Sequence, residues 1–330
     1  MKPTNLISVG DFLDLYYKIR SSGLIPILNR FYLTKKQRIQ KTWETGEVPP
    51  TNWRSIPRIL RRFNFLITGD PAIEFPDYVC LKYFSKKNFL RAVSPGCGTG
   101  LQEIKFARYS CFCSIEAFDT SRQSLLKASE KAKTFGLTNI RFFVEDVNHF
   151  DFGTSIYDMI LFNGSLHHFE NLESLFLRVK KGLAPEGLLI VNEYVGPSRF
   201  QWNEKQLQVA NALLKKIPVE YRKKWNSGIV KKKQYRPGLL RMILYDPSEA
   251  VESENILPLL QRHFKTLEIK NLGGNLLRLI LKDIAHHFMN EDEKTNRILD
   301  DLFAAEDEFL KENPSDFIFG VFQKTTSSDE

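Results

Sequence analysis

The feature that most constrains this chain is a glycine-rich turn between an apolar run and a helix-like segment. Residues 92–100 read Ala-Val-Ser-Pro-Gly-Cys-Gly-Thr-Gly and continue the apolar run that begins at Phe89. Because glycine has no Cβ and tolerates positive φ, Gly96, Gly98 and Gly100 let the backbone pass close to a ligand. The helix start beyond them offers unpaired N–H groups to a polar or negatively charged ligand end. This stretch therefore predicts a strand, a tight turn and a helix that together bind a ligand.

From residue 88 onward, strand-like and helix-like segments alternate. The predicted strands are 91–94, 114–118, 140–144, 157–162, 187–193, 264–270 and 316–323. Strands separated by helices of about 10–15 residues predict a parallel sheet with helices on both faces. The fold class predicted is α/β, with a doubly wound, mostly parallel seven-stranded sheet. Ligand sites in such sheets lie at the carboxyl ends of the strands.

The chain outside this alternation divides into three segments. Residues 1–87 are predicted to form a basic N-terminal extension, with two or three short helices in 10–45 and an extended connector over 46–75. Residues 88–325 form the predicted main domain. Within it, the alternation stops over 197–246, a length that predicts a lid or substrate-binding insertion. The polar tail 326–330 is predicted to be disordered.

Three helices are predicted after this insertion, the last of them from about residue 294 to residue 310. Asp246-Pro247-Ser248-Glu249 has the N-cap, N1 proline and N3 glutamate typical of a helix start, so we expect a helix that runs to about His263. A second helical stretch is expected over 276–288.

The positive charge of the chain is concentrated at its beginning. The net charge is +8, and residues 1–62 hold twelve basic and four acidic residues, which accounts for the whole excess. This segment is predicted either to contact phosphates, an anionic membrane face or an acidic partner, or to form a solvated helical face. No uncharged apolar run approaches the roughly 20 residues that cross a bilayer, and the first apolar stretch is broken by Asp11 and Asp14. We therefore expect a cytoplasmic protein without a membrane span.

Polar groups at the ends of the next strands fit a cofactor that carries a nucleoside. Asp119 ends the second predicted strand, where a carboxylate accepts hydrogen bonds from a ribose diol. Asp146 follows the third strand, where a carboxylate accepts the amino group of adenine, and Asn163-Gly164 ends the fourth. The glycine spacing G-x-G-x-G and the acid at Asp146 differ from the G-x-G-x-x-G pattern of dinucleotide sites.

These residues resemble class I S-adenosylmethionine-dependent methyltransferases. The resemblance covers roughly residues 88–195. It includes the glycine turn, the two aspartates, Tyr157-Asp158, Leu166-His167-His168, and Lys181–Gly187, which resembles the K-x-L-x-P-x-G turn of that family. It implies a Rossmann-like methyltransferase fold, methyl transfer as the activity and S-adenosylmethionine as the cofactor.

The resemblance also implies a set of cofactor contacts. The predicted cofactor-binding residues are Ser94, Pro95, Gly96, Cys97, Gly98, Gly100, Glu103, Asp119, Thr120, Asp146, Val147, Asn163 and Gly164. Many relatives carry an acid where this chain has Ser94, which cannot neutralise the ammonium group of the cofactor. Our hypothesis is that Glu103, one helical turn past Gly100, does so instead. The alternative for Asp119 and Asp146 is that both are helix N-caps without a ligand.

The candidate catalytic residues follow the fourth and fifth strands. His168 is our first choice as the base that accepts a proton from a hydroxyl acceptor, because histidine titrates near working pH. Glu193 and Tyr194 are the other candidates. The alternative is that His167 and His168 pack against or cap the following helix. No metal site is predicted, because adjacent residues on a helix diverge by about 100° and no third ligand is evident.

The absence of two motifs narrows the class of substrate. Asn163-Gly164-Ser165-Leu166 is not the Asn/Asp-Pro-Pro-Tyr/Phe turn that similar enzymes use on exocyclic amines of bases, and the chain lacks the Pro-Cys pair of the cytosine C5 enzymes. Nucleobase methylation is therefore disfavoured.

The insertion then indicates the kind of acceptor. Seven basic residues between Arg222 and Arg236 are predicted either to hold phosphates or, at Lys231–Lys233, to form an exposed loop. Arg199, Trp202 and Arg236 are the predicted substrate contacts. We predict O-methylation of a polar small molecule such as a sugar, nucleotide-sugar or glycan precursor. The alternatives are an RNA methyltransferase that uses both basic segments, and a non-catalytic scaffold that binds the cofactor.

Overall fold

The computed structural model describes residues 5–22, 34 and 52–324, and within them seven strands form one sheet. The strands are Leu90–Pro95 (β1), Phe112–Asp119 (β2), Ile140–Val144 (β3), Tyr157–Asn163 (β4), Leu183–Tyr194 (β5), Phe264–Gly273 (β6) and Phe317–Lys324 (β7). Their order is β3-β2-β1-β4-β5-β7-β6, and β7 runs antiparallel to both of its neighbours. The predicted α/β class and mostly parallel seven-stranded sheet are confirmed.

The strand order places the predicted site. Because β1 pairs in parallel with β2 on one side and with β4 on the other, the order in which successive strands join the sheet reverses there. Loops that leave the carboxyl ends of these strands diverge to opposite faces and open a crevice between them. The glycine turn after β1 therefore lies at this switch point, between the loops that follow β2 and β4.

Helices cover both faces of the sheet. They are Val9–Ser22 (α1), Pro57–Thr68 (α2), Phe75–Val79 (α3), Leu101–Ala107 (α4), Arg122–Thr134 (α5), Leu172–Gly182 (α6), Glu204–Lys216 (α7), Leu239–Tyr245 (α8), Ser253–His263 (α9), Leu277–Leu281 (α10) and Glu293–Leu310 (α11). Adjacent β1 residues point to opposite faces, as the period of a strand requires. Ala92 belongs to a core shared with α2, α7 and α10, whereas Val93 belongs to a core shared with α6 and α9.

The predicted extended connector over 46–75 is wrong where the structure describes it, because α2 lies within it. Proline at the first position starts this helix and Gly69, at φ 85°, ends it. Ile59, Phe63 and Ile67 are spaced four apart and are buried on one face. Of the arginines between them, Arg61 is exposed, whereas Arg62 packs over the ring of Phe303 and pairs with Asp307. Helix α1 accounts for one of the predicted N-terminal helices. The rest of 10–45, apart from residue 34, and the tail 326–330 lie outside the described residues.

Of the three helices predicted after the insertion, the last agrees with α11 and the first two differ from those observed. Asp246 follows the end of α8 and its carboxylate accepts hydrogen bonds from Ser248 (N–H 3.1 Å, hydroxyl 2.7 Å), so it forms a local turn and the next helix begins only at Ser253. The stretch 276–288 is interrupted because Asp283 adopts φ 72°, a left-handed conformation that an α-helix cannot contain.

The segment 197–246 is built into the core. Leu207, Ala210 and Leu214 of α7 are buried in the same core as Ala92, and α8 carries Arg241, which pairs with Asp11 of α1 at 2.8 Å. None of the helices in the described part of the chain combines the length and apolarity needed to cross a membrane.

Candidate active site

The glycine turn has the geometry of a ligand cradle. Gly96, Gly98 and Gly100 have φ values of 69°, 54° and 65°. A Cβ at Gly96 would lie 2.6 Å from Ser165, and one at Gly100 would lie 2.5 Å from the ring of Phe142, so these two glycines are required by packing. A Cβ at Gly98 would meet no heavy atom within 4 Å, so this glycine alone borders open space. The turn therefore presents bare backbone at Gly98 to the crevice.

Asp119 holds this turn in place. Its carboxylate accepts hydrogen bonds from the N–H groups of Gly98 at 2.9 Å and of Ser121 at 2.8 Å. The N-cap of α5 is Ser121 and not Asp119, so the alternative of a capping role for Asp119 is not what the local geometry shows. A half-buried carboxylate bound to one N–H on each oxygen still has lone pairs for further donors, as a ribose diol would supply.

Glu103 lies buried beneath the turn and next to Ser94. The Ser94 hydroxyl donates to the Glu103 carboxylate at 2.7 Å, and both side chains are about 2% exposed. Burial raises the pKa of Glu103 to about 7, the hydrogen bond from Ser94 lowers it only in part, and the Asp119 carboxylate raises it further. Among the described residues, no lysine or arginine forms an ion pair with Glu103. A cationic group delivered to this position would relieve the cost of burying the carboxylate.

The remaining predicted cofactor residues surround the same crevice. The N–H of Glu145 donates to the carbonyl of Asp119 at 3.2 Å, which joins the loops after β2 and β3. In the second of these loops, Asp146 accepts from the N–H and amide of Asn148, both at 2.9 Å, and Val147 is buried. Thr120 is half-buried between Asp119 and Ser121.

The turn and the loop after β4 are joined directly. The Ser165 hydroxyl donates to the carbonyl of Pro95 at 2.9 Å, and Asn163 accepts from the amide of Asn192 at 2.8 Å. Gly164, at φ 67°, directs the chain from β4 into this loop. Burial raises the pKa of the Cys97 thiol, which agrees with a structural role in the turn and not a nucleophilic one.

On the other side of the turn, a second polar group lies at the ends of β4 and β5. Glu193 is 0% exposed and its carboxylate accepts hydrogen bonds from the N–H groups of Leu166 at 2.7 Å and Tyr194 at 2.6 Å. Its Oε1 lies 2.5 Å from Nδ1 of His167. Burial alone would lower the pKa of His167, but the carboxylates of Glu193 and Glu249 raise it above its ordinary value.

His168 lies beside this pair in a different electrostatic environment. The ring centroids of His167 and His168 are 4.0 Å apart, and Nδ1 of His168 is 3.4 Å from the Ser248 hydroxyl. Burial and the neighbouring His167 lower the pKa of His168. Tyr194 is 1% exposed and donates its hydroxyl to the carbonyl of Pro197 at 3.1 Å, so its side chain packs within the core. Of the three predicted catalytic residues, His168 and Glu193 therefore lie in one polar cluster and Tyr194 packs behind it.

The comparisons with known proteins agree with this geometry. Residues 86–263 match a family described as "Methyltransferase domain". The chain belongs to this family. Members of the family use S-adenosylmethionine, so the predicted class I methyltransferase and its cofactor are confirmed. No curated protein matches this methyltransferase.

Two solved structures are similar to it at low sequence identity. Phosphoethanolamine N-methyltransferase 2 of Haemonchus contortus, in complex with S-adenosyl-L-methionine, is 15% identical with a TM-score of 0.52, over 89% of this chain and 60% of that one. The PH0226 protein of Pyrococcus horikoshii is 16% identical with a TM-score of 0.44, over 89% of this chain and 100% of that one.

The predicted substrate contacts of this methyltransferase are mostly internal. Trp202 is 3% exposed and stacks on Phe200, with ring centroids 5.4 Å apart. Arg236 donates to the carbonyl of Trp202 at 2.7 Å and pairs with Glu204 at 2.8 Å. Trp202 and Arg236 thus pack within the protein and offer no exposed face to a substrate. Arg199, at φ 53°, donates to the carbonyl of Glu249 at 3.0 Å and so lies beside the histidine cluster.

Sequence reasoning missed two charged groups at this site. Glu249 lies 3.9 Å from Nε2 of His167, and Arg278 lies 3.9 Å from the same carboxylate and over the ring of Phe200, 3.7 Å from its centroid. Glu249 was interpreted as a residue of a helix N-terminus, and Arg278 lies on the short helix α10. Neither residue stands near a sequence motif that could have indicated its place.

The basic run of the insertion does not form one continuous surface. Lys231 is buried and donates to the carbonyls of Leu279 at 2.7 Å, Ile280 at 3.0 Å and Lys282 at 2.6 Å. Lys224 lies 3.4 Å from Asp283. The predictions that Lys231 binds phosphate or is exposed are both wrong, because its ammonium caps the carboxyl end of α10.

We expect Lys231→Met to destabilise the protein, because three carbonyl oxygens at the end of α10 would lose their hydrogen-bond donor. The loss of three buried hydrogen bonds predicts a melting temperature lower by about 5 °C or more. Thermal unfolding followed by circular dichroism checks this, with Lys232→Met at the exposed neighbour as the control. Equal melting temperatures for the two variants would contradict the capping role.

Proposed function

We propose that this methyltransferase transfers the methyl group of S-adenosylmethionine to an oxygen atom of a polar small molecule, such as a sugar or nucleotide-sugar. The observation that carries the proposal is the polar cluster of His167, His168 and Glu193 beside the glycine turn. A hydroxyl acceptor must lose a proton during the transfer, and a neutral imidazole, the form that the lowered pKa of His168 favours, can draw that proton away.

The cofactor side supplies binding and orientation. Bound S-adenosylmethionine supplies a methyl group already activated by a positively charged sulfur. The backbone at Gly98 allows close approach, Asp119 would accept the ribose hydroxyls, and Asp146 would accept the adenine amino group above Val147. Residues on both sides of the turn then hold donor and acceptor in line and keep water out, which is the main contribution a protein makes to such a displacement.

Glu103 is proposed to replace the acid that Ser94 does not provide. Its carboxylate is buried, is hydrogen-bonded to Ser94, and has a pKa raised to about 7 by that burial. The ammonium group of the cofactor would form the ion pair that this carboxylate lacks among the described residues. Ser94 and Glu103 together would then bind the ammonium group of the cofactor, as a single acid at the position of Ser94 does in many relatives.

We expect Glu103→Gln to weaken cofactor binding and, at pH 8, to stabilise the free protein. Burial raises the pKa of Glu103 from 4.5 to about 7, so the stability linked to this proton is full below pH 4.5 and lost as the pH rises through 7. Glutamine carries no charge, so the variant does not lose stability as the pH rises. The same lack of charge leaves the ammonium group of the cofactor without a partner, which predicts an affinity for the cofactor about 10-fold lower or more. Calorimetric titration measures the cofactor affinity, and thermal melts at pH 8 measure the stability of the free protein. The surface variant Asp301→Asn is the control for both. Unchanged affinity would contradict the role of Glu103.

The substrate class is tested with methyl-labelled S-adenosylmethionine and fractionated cell extract. We expect label in small polar molecules, with carbon NMR assigning the methyl group to an oxygen. Label in RNA would instead support the alternative of an RNA methyltransferase, which the internal position of Lys231 and Arg236 makes weaker. Absence of label in every fraction, with cofactor still bound, would favour a non-catalytic scaffold.

A further inference from the structure

The described part of this chain contains two adjacent histidine pairs of almost the same shape. The rings of His167 and His168 lie 4.0 Å apart at 42°, and those of His286 and His287 lie 3.9 Å apart at 40°. The first pair has Glu249 beside it, and the ligand atoms of these three side chains all lie within 4.8 Å of one another. In the described residues this is the one group of three or more histidine, cysteine or carboxylate side chains so arranged.

A contact with Glu193, on the side of the ring opposite Glu249, fixes the orientation of His167. Nδ1 of His167 lies 2.5 Å from the fully buried carboxylate of Glu193, whose oxygens also accept two backbone N–H groups. The proton between them belongs on Nδ1, because the carboxylate is an acceptor only, so Nε2 faces Glu249 and presents a lone pair whenever the ring is neutral. A carboxylate behind the imidazole is the usual arrangement around metal-binding histidines, where it sets the tautomer.

Nε2 of His167 and the carboxylate of Glu249 then face each other at 3.9 Å as two acceptors. Either a proton or a cation must lie between them for the contact to be favourable. Arg278 approaches the same oxygen of Glu249 at 3.9 Å, beyond hydrogen-bond distance, so it leaves that oxygen open.

The distances suit a shared ion after small adjustments. Metal–ligand bonds of about 2.0–2.2 Å place ligand atoms about 3–3.5 Å apart. The observed separations of 3.9 Å to at most 4.8 Å therefore need each side chain to move by less than about 1 Å. All three side chains are half-buried, so an ion can reach them. The structure meets neither of the two conditions on which the sequence predicted no metal site. The histidines lie in a 3₁₀ turn with their rings close together, and the third ligand comes from a distant loop.

We propose that His167, His168 and Glu249 bind one divalent transition-metal ion of the zinc class. Two imidazoles and one carboxylate are a ligand set that suits Zn²⁺, Co²⁺ and Fe²⁺ and is poorly matched to Mg²⁺. Three protein ligands leave a coordination position open for a further oxygen atom.

The role of the ion rests on the proposed function, whereas its binding does not. An acceptor hydroxyl on the open position would lose its proton to water more readily than in solution, because the ion stabilises the oxyanion. That oxygen would then form the new bond to the methyl carbon as the carbon–sulfur bond breaks, leaving S-adenosylhomocysteine. The histidines would in this case hold the ion and not act as the base.

The test is metal binding to the full-length, untagged, chelator-treated protein without cofactor or substrate. Titration with Zn²⁺ is followed by calorimetry and titration with Co²⁺ by its visible absorbance. We expect one ion per chain, and a loss of affinity of about 100-fold or more in His168→Ala and Glu249→Gln. His286→Ala, in the pair without a neighbouring carboxylate, is the matched control and should bind as the wild type does.

Two outcomes would overturn the proposal. One is absence of one-to-one binding by the folded wild-type protein. The other is an equal loss of affinity in His286→Ala and His168→Ala, which would indicate binding elsewhere. Melting curves identify any variant that fails to fold, and the half-exposed Glu249 provides a second variant in that case. Transfer of label from methyl-labelled S-adenosylmethionine, measured on the same protein, keeps a failure of metal binding distinct from a failure of the proposed methyl transfer.

Discussion

Asp119→Ala is expected to lower the affinity for S-adenosylmethionine by about 100-fold or more. The Asp119 carboxylate fixes the turn through the N–H of Gly98 at 2.9 Å and, in the proposed complex, also accepts the ribose hydroxyls. The substitution therefore removes a contact to the cofactor and also the hydrogen bond that fixes the conformation of the glycine turn. The measurement is calorimetric titration of cofactor into each variant, with the fold checked by circular dichroism.

The control for this variant is Asp151→Asn, an exposed aspartate in the loop between β3 and β4 that accepts only the N–H of Gly153. It should bind the cofactor as the wild type does. If Asp119→Ala and Asp151→Asn bound the cofactor equally well, Asp119 would have only a structural role.

Glu193→Gln is expected to lower kcat by about 100-fold or more while leaving the cofactor affinity within about 3-fold of the wild type. In the proposed reaction Glu193 would act through His167 as a positioning residue, because its carboxylate lies 2.5 Å from Nδ1 of that ring. A glutamine would keep the size of the side chain but would not provide the negative charge that holds the proton on Nδ1. A purely structural role would lower kcat and the cofactor affinity together, so a fall in kcat alone distinguishes the two.

Glu186→Gln, at the exposed start of the same strand β5, is the matched control. Steady-state rates and cofactor titrations on both variants make the comparison. A parallel fall of kcat and cofactor affinity in Glu193→Gln would mean that the substitution disturbs the whole crevice, and would contradict the positioning role.

The sequence predicted the strands and the glycine turn that form the proposed cofactor half of the site, because these elements are local. The apolar run before Gly96 and the carboxylate that ends the next strand both reflect strand and turn chemistry that a few residues determine. The parallel sheet then brings these strand ends together, with Asp119 bonded to Gly98 at 2.9 Å.

The acceptor half could not be predicted in the same way, because it is assembled from distant segments. Glu249 reaches His167 across 82 residues of sequence through a turn that we interpreted as a helix start. Lys231 stands among other lysines, and its burial depends on the carbonyls at the end of α10, whose helix stops where Asp283 adopts φ 72°. Such backbone breaks follow from tertiary packing and not from local propensity.

The most direct test of the cofactor site as a whole is a calorimetric titration of the wild-type protein with S-adenosylmethionine at pH 6, repeated in buffers of different ionisation enthalpy. Because burial raises the pKa of Glu103 to about 7, this carboxyl group is mostly protonated at pH 6 in the free protein. An ammonium group placed beside it would drive the proton off. We predict one site per chain and the release of nearly one proton on binding, with that release lost in Glu103→Gln. Binding without proton release, or no binding by the folded protein, would contradict the account.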